Sequence, residues 1–137
     1  MLKPVIQQET TGCSIACVAT LAGISYSKAK KLANSLGIFA EDSTLWSDTF
    51  SVRKLLSHLK IDVAKNEKVF RGWDTLPDCA LLAIKWYKEN GIPFWHWAVF
   101  VRQGGQAYVL DSKKSLKKNL RTDFGRIQPK WFIEVFN

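Results

Sequence analysis

In the first half of the chain, apolar residues recur at the three- and four-residue spacing of helices that bury one face. Gly23 and Gly37 stand where two of these patterns stop, and Ser25 is a suitable N-cap for the second. Residues 40–49 are largely polar and predict a loop. The predicted helices cover residues 13–23, residues 26–36 and a segment that begins at Ser51, with Val52, Leu55, Leu56 and Leu59 as its buried stripe.

The second half of the chain has the pattern of β-strands. Residues 79–87 are almost continuously apolar, which is typical of a buried strand. Residues 95–102 and 106–111 flank Gln103-Gly104-Gly105 and predict a hairpin. Residues 90–93 (Asn-Gly-Ile-Pro) predict a turn, and residues 131–136 a closing strand. Helices followed by antiparallel strands predict an α+β fold, and because no linker is visible we expect one domain over residues 1–137.

The composition limits which classes of molecule we expect to bind this chain. Hydrophobic residues make up 47% of the chain, enough for a folded core. The net charge of +8 favours acidic partners, and it is densest over residues 113–121, where the pattern alone is that of a solvated basic face. The six tryptophans are not interleaved with Arg and Lys as in a base-stacking surface, which argues against nucleic-acid binding.

The sequence also bears on cellular location. Three cysteines without a CxxC pair predict free thiols in a reducing compartment rather than a disulfide framework. The N-terminus has no apolar signal region, and the apolar stretch 15–24 is too short to cross a bilayer, which takes about 20 residues. We therefore expect a cytoplasmic protein, with translocation by a specialised secretion system left open.

Cys13 is the strongest candidate for a catalytic residue. It follows Thr10-Thr11-Gly12 and opens the first predicted helix. A helix N-terminus and a nearby imidazolium both favour the thiolate, which is the nucleophilic form of a cysteine. Gly12 would let a substrate backbone approach closely. By contrast, Cys17 and Cys79 lie in apolar segments and are expected to be small core residues.

The predicted hairpin brings His96 and Asp111 together. If Gln103-Gly104 form the turn, His96 lies directly opposite Asp111. If Gly104-Gly105 form it, His96 lies opposite Lys113 and diagonal to Asp111 on the same face. Either register lets the carboxylate orient the imidazole, as the third residue of a catalytic triad does. A three-residue loop would break this relationship unless a bulge restored it.

Gln7, six residues before Cys13, is a candidate donor to an oxyanion, with Gln8 as the rival for that role. Trp95 and Trp97 flank His96 and are expected in the core or in the wall of a cleft. His58 is expected on the surface. No ligand spacing supports a metal, and there is no nucleotide-binding loop, so the sequence predicts neither a metal nor a cofactor.

These motifs resemble the bacterial bacteriocin-processing peptidases that remove double-glycine leaders. The segment QQETTGCSIACVATLAG is similar to the start of those papain-like domains, and HWAVFVRQGGQAYVLDS to their histidine and aspartate strands. SVRKLLSHLKIDV, LPDCALLAIKW and DFGRIQPKWFIEVF follow in the family's order. The resemblance implies a cysteine peptidase with Cys13 as nucleophile, His96 as general base and acid, Asp111 as orienting carboxylate and Gln7 as oxyanion donor.

The chain also departs from the family's pattern. Gly12 and Ser14 stand where an aspartate and a glycine are usual, and Ser112 where a proline is common. No transmembrane or ATPase region accompanies the domain, so we expect a stand-alone peptidase. The resemblance implies a peptide or protein substrate, which the net charge favours as acidic, and allows an export machinery or an immunity protein as a partner.

Two alternatives remain open at this point. A glutamine deamidase or transglutaminase-like effector or toxin would use the same thioester chemistry on a side-chain amide, and the sequence does not separate it from a peptidase. A non-catalytic peptide-binding module could keep the groove without turnover. The presence of the cysteine argues against the second alternative.

Overall fold

The computed structural model describes residues 2–136. Three helices come first: α1 (Cys13–Ala22), α2 (Tyr26–Ser35) and α3 (Phe50–His58). Seven strands follow: β1 (Asp62–Val63), β2 (Lys68–Val69), β3 (Cys79–Glu89), β4 (Ile92–Gln103), β5 (Gln106–Leu110), β6 (Leu120–Arg121) and β7 (Pro129–Phe136). All the strand pairs are antiparallel. The predicted α+β class is confirmed.

The helix boundaries follow from local chemistry. Gly23 ends α1 in the left-handed conformation, with φ of 68°, where a side chain would be strained. The Ser25 hydroxyl accepts a hydrogen bond from the Lys28 backbone N–H and caps α2. Helix α3 starts at Phe50, one residue before the predicted Ser51. The predicted loop 40–49 contains one turn of 3-10 helix, Ser43–Trp46.

The sheet has the order β1-β7-β3-β4-β5-β6, and the short β2 also pairs with β7. Asn90 and Gly91, both with positive φ, connect β3 to β4. This turn is shorter than the predicted residues 90–93, because Pro93 already pairs with Lys88 in the ladder. Gly104 and Gly105, with φ of 60° and 78°, form the two-residue turn between β4 and β5.

The sheet is buried on both faces. On one face α1 packs against β4, and every residue from Cys13 to Thr20 is buried. Trp97 of β4 is fully buried in this cluster. On the other face Phe100 lies in a second apolar cluster, which Trp73 and Phe124 from the connecting loops partly cover. Helix α1 and strand β4 therefore pack against each other in the buried core, and this packing fixes the position of Cys13 relative to His96.

Candidate active site

Cys13 is the first residue of α1, directly after the N-cap Gly12. Its thiol is buried between α1 and β4, where the Trp97 backbone N–H donates to Sγ at 3.5 Å. The first backbone N–H groups of a helix have no acceptor within the helix, and their dipoles favour a negative charge nearby. Both the helix and the strand thus provide backbone donors for a thiolate at Cys13.

Gly12 is required by a neighbour that the sequence did not indicate. A Cβ at this position would lie 2.1 Å from the Tyr26 hydroxyl oxygen of α2 and 3.2 Å from the Glu9 carbonyl oxygen. The structure thus gives Gly12 a packing role, and the approach of a substrate backbone at this residue stays a prediction. The Tyr26 hydroxyl donates to the Glu9 carboxylate at 2.6 Å, and the Lys30 ammonium binds the other carboxylate oxygen. These contacts tie the loop before Cys13 to α2.

His96 and Asp111 are in direct contact. The ladder pairs Val99 with Leu110 and Gln103 with Gln106, which is the register set by a Gly104-Gly105 turn. It is the second of the two predicted registers, with Asp111 diagonal to His96. The distance from His96 Nε2 to Asp111 Oδ1 is 2.7 Å. Since Nε2 is bound to the carboxylate, Nδ1 is the ring nitrogen left for the Cys13 thiol.

The electrostatics of the pair favour an imidazolium beside a carboxylate. Burial alone would lower the pKa of His96, but hydrogen bonds to Asp111 and to the Cys13 thiol outweigh it and raise the pKa to about 9. Burial alone would raise the pKa of Asp111, but hydrogen bonds from His96, the Lys113 backbone N–H and Arg121 lower it to about 2. Both groups are charged at neutral pH.

Arg121 is a member of the site that sequence reasoning missed. It falls in the basic run whose pattern predicts a solvated face, yet only 13% of its side chain is exposed. Its Nη1 lies 3.0 Å from Asp111 Oδ2, the oxygen that His96 does not use. Its Nη2 binds Asp123 at 2.7 Å. Only the pairing of β6 with β5 brings Arg121 to Asp111, so no local pattern indicated it.

Gln7 lies next to this group and is 6% exposed. Its Nε2 donates to the carbonyl oxygens of Glu9 and Thr10 at 3.1 and 2.9 Å. Its Oε1 accepts from the Ser112 hydroxyl at 2.7 Å, and its backbone N–H donates to the Ser112 carbonyl at 3.0 Å. Gln7 therefore holds the loop before Cys13 against the segment after Asp111, and both amide hydrogens point at loop carbonyls.

A groove of about 360 Å³ opens beside His96. The walls include three aromatic residues, Trp46, Tyr87 and Trp95. Of the two tryptophans predicted for the core or the wall, Trp95 lines the groove and Trp97 is fully buried. Trp46 comes from the predicted loop, which the Trp97 indole N–H anchors by donating to the Leu45 carbonyl at 3.4 Å. The remaining lining residues are Gln7, Gln8, Glu9, Thr10, Lys85, His96, Lys113, Lys114 and Ser115.

The two further cysteines and the second histidine of the chain lie outside the groove. Cys17 and Cys79 are buried, as expected for core residues, and His58 is exposed at the end of α3. Burial raises the pKa of the Cys17 thiol far above its usual value, and the nearby Cys13 and Asp111 raise it further, so Cys17 stays protonated. Among residues 2–136 no group of three or more His, Cys, Asp or Glu side chains could hold a metal ion.

The solved structures with a similar fold include two peptidase domains. One is a double glycine motif protease from an AMS/PCAT transporter, solved in complex with the leader peptide, with a TM-score of 0.61 and 15% identity over 98% of this chain and 91% of that chain. The other is the peptidase domain of Streptococcus ComA, a bifunctional ABC transporter of a quorum-sensing pathway, with a TM-score of 0.62 and 15% identity over 98% of both chains.

This chain has the fold of the double-glycine peptidase domains. The papain-like peptidase fold predicted from the sequence is thereby confirmed, with its helices packed on an antiparallel sheet. No protein-family model and no curated protein matches the sequence. In residues 2–136 no helix has both the length and the apolar character needed to cross a membrane.

Proposed function

We propose that this protein is a cysteine peptidase in which Cys13, His96 and Asp111 form the catalytic triad. The observation that carries the proposal is the 2.7 Å contact between His96 Nε2 and Asp111 Oδ1, together with the Cys13 thiol, which is near enough to help raise the pKa of His96. The peptidase domains that share the fold support the reaction type, and the solved complex with a leader peptide supports a peptide as the substrate.

The geometry supports acyl transfer in two steps. The Cys13 thiolate attacks the carbonyl carbon of a peptide bond, and the His96 imidazolium gives its proton to the leaving amine, which releases the first product. Water then attacks the thioester while the His96 imidazole, as general base, takes its proton. Cleavage of the C–S bond releases the second product as an acid and restores the Cys13 thiolate beside the His96 imidazolium. Asp111 holds the imidazole in position and stabilises its charge throughout.

Two donors are proposed for the oxyanion. The Cys13 backbone N–H lies at the start of α1, where the helix offers it no acceptor. Gln7 Nε2 is the second donor, and one of its hydrogens would turn from a loop carbonyl to the oxyanion when substrate binds. Ser112 fixes the opposite end of the Gln7 amide, so the rearrangement is limited to the donor end.

The test is mass spectrometry of a diverse peptide pool incubated with the wild type and with Cys13→Ala under reducing conditions. The proposal predicts new peptide termini with the wild type alone. Intact peptides with amide-to-acid mass shifts would establish a deamidase instead. An unchanged pool with both proteins would contradict turnover and favour a binding module.

A further inference from the structure

The groove beside His96 is strongly basic. Three lysines line it, Lys85, Lys113 and Lys114, and Glu9 is its one acidic lining residue. The Glu9 charge is already compensated by Lys30 and the Tyr26 hydroxyl. Among residues 2–136 neither Lys85 nor Lys113 takes part in an ion pair. The groove therefore presents uncompensated positive charge to whatever enters it.

Lys85 is held toward this region by an unusual backbone. Ile84 of β3 pairs with His96, and the ladder then shifts register before Tyr87 pairs with Phe94. Lys85 lies in this bulge with a φ of 53°, a left-handed conformation that residues other than glycine rarely adopt because the Cβ crowds the backbone. Backbone strain of this kind persists where the surrounding fold imposes it, and it concentrates at sites that bind or react.

Lys113 approaches the same region from the segment after β5. Its backbone N–H donates to Asp111 Oδ1 at 3.1 Å, and its carbonyl accepts from the Asn119 side chain at 2.9 Å. Burial lowers the pKa of the Lys85 ammonium, and the neighbouring Lys113 lowers it further. Both lysines line the groove, and two like charges that face one groove repel each other less when an anion lies between them.

Trp95 contributes apolar wall and no donor to the groove. It is 6% exposed, and its indole N–H is buried without a partner in the part of the chain that the structure describes. Its ring packs edge-on against Trp97 and Trp131, inside the core. The groove thus combines aromatic walls with cations that match an acceptor of negative charge.

We infer that Lys85 and Lys113 form a subsite for an acidic side chain of the peptide substrate. This inference rests on the proposed peptidase activity and names its substrate class. The carboxylate would bind between the two ammonium groups, while the neighbouring peptide lies along the aromatic walls toward His96. Recognition of a single carboxylate close to the reacting bond would select substrates by sequence and add affinity through charge.

The test is the same peptide digestion, scored for Asp and Glu at each distance from the new termini. The pool contains pairs of peptides in which one member has Glu where the other has Gln. Each pair is included both with a free and with an amidated C-terminus. The wild type is expected to cleave the Glu peptide of a pair about fivefold faster. Lys85→Gln with Lys113→Gln should remove this preference, and Lys85→Glu with Lys113→Glu should reverse it toward Lys and Arg.

Lys117→Gln with Lys118→Gln is the matched control, because it removes the same charge from exposed lysines that do not line the groove. It should keep the acidic preference. If the wild type cleaves peptides without preferring Glu, the proposed subsite is wrong and the proposed peptidase activity is not affected. The same conclusion follows if the preference requires a free C-terminus. A pool left uncleaved by the wild type would overturn the proposed function and the subsite together.

Discussion

The Ser112 hydroxyl donates to the Gln7 side-chain oxygen at 2.7 Å, although the two residues are 105 positions apart in the chain. This bond decides the orientation of the Gln7 amide, because it places the acceptor toward Ser112 and the donors toward the Cys13 loop. Ser112 directly follows Asp111. The bond therefore links the segment that carries the orienting carboxylate to the segment that carries the nucleophile.

Ser112→Ala tests this link. The substitution leaves the buried Gln7 oxygen without its donor, and the amide loses its fixed orientation. We expect kcat/KM for peptide cleavage to fall about tenfold, with a loss of about 1–2 kcal/mol in the free energy of unfolding. Peptide kinetics and urea unfolding measure the two effects. Ser57→Ala, on the exposed face of α3, should change neither. Unaltered kinetics in Ser112→Ala would show that the Gln7 orientation does not matter for turnover.

The pH dependence follows from the His96 imidazolium. Its pKa of about 9 lies above the ordinary value of 6.5, so a reaction that needs the imidazolium continues as the pH rises and declines above about pH 9. The pair stabilises the fold fully below about pH 6.5, and this stabilisation is lost as the pH rises through about 9. Asp111, with a pKa of about 2, stays charged throughout this range.

Asp111→Asn is the variant that tests this assignment. It removes the carboxylate that raises the pKa of His96, so the alkaline decline should move to lower pH and some activity should remain. The kcat/KM profile of both proteins between pH 5 and pH 10, roughly the range in which a histidine of this kind titrates, is the measurement. If kcat/KM declines at the same alkaline pH in both proteins, a group other than His96 controls the decline.

Gly12→Ala should destabilise the protein because its Cβ meets the Tyr26 hydroxyl at 2.1 Å. The φ of Gly12 is −86°, which alanine adopts freely, so the cost is steric and not conformational. Overpacking of this kind costs about 1–3 kcal/mol. Thermal and urea unfolding of Gly12→Ala, Tyr26→Phe and the double variant measure it. The double variant should recover part of the loss, and an additive result would rule out the contact as the cause.

Arg121→Met should weaken the site through Asp111. It leaves one oxygen of a fully buried carboxylate without its cation, and we expect a loss of about 2 kcal/mol in the free energy of unfolding. Arg126→Met, which removes an equal charge from an exposed residue, should cost less than about 0.5 kcal/mol. Denaturant unfolding at neutral pH compares the two. Equal losses would mean that the Arg121–Asp111 pair adds no stability.

Local sequence was sufficient for the parts of the site that depend on turns and caps. The two glycines favoured a two-residue β4–β5 turn, and both registers of such a turn keep His96 beside Asp111. Gly23 and Ser25 marked the helix ends for the same reason, since each acts on its immediate neighbours. The order of the helices and strands then predicted the α+β class.

The parts that the sequence did not reveal depend on contacts between distant segments. Gly12 is explained by Tyr26, and Trp46 enters the groove through a loop anchored on Trp97. Arg121 is buried because β6 pairs with β5, whereas its basic neighbours suggested a solvated surface. The bulge at Lys85 interrupts a strand that reads as regular. None of these relationships has a signal within a short window of sequence.

In the proposed mechanism His96 makes Cys13 a nucleophile. Peptide mapping by mass spectrometry after brief exposure to iodoacetamide measures this effect at pH 7, a pH at which an ordinary free thiol is mostly protonated. We predict one early adduct, on Cys13, formed about tenfold faster in the wild type than in His96→Ala, with Cys17 unlabelled. Equal rates at Cys13 in the two proteins, or earlier labelling of Cys17 or Cys79, would contradict the account.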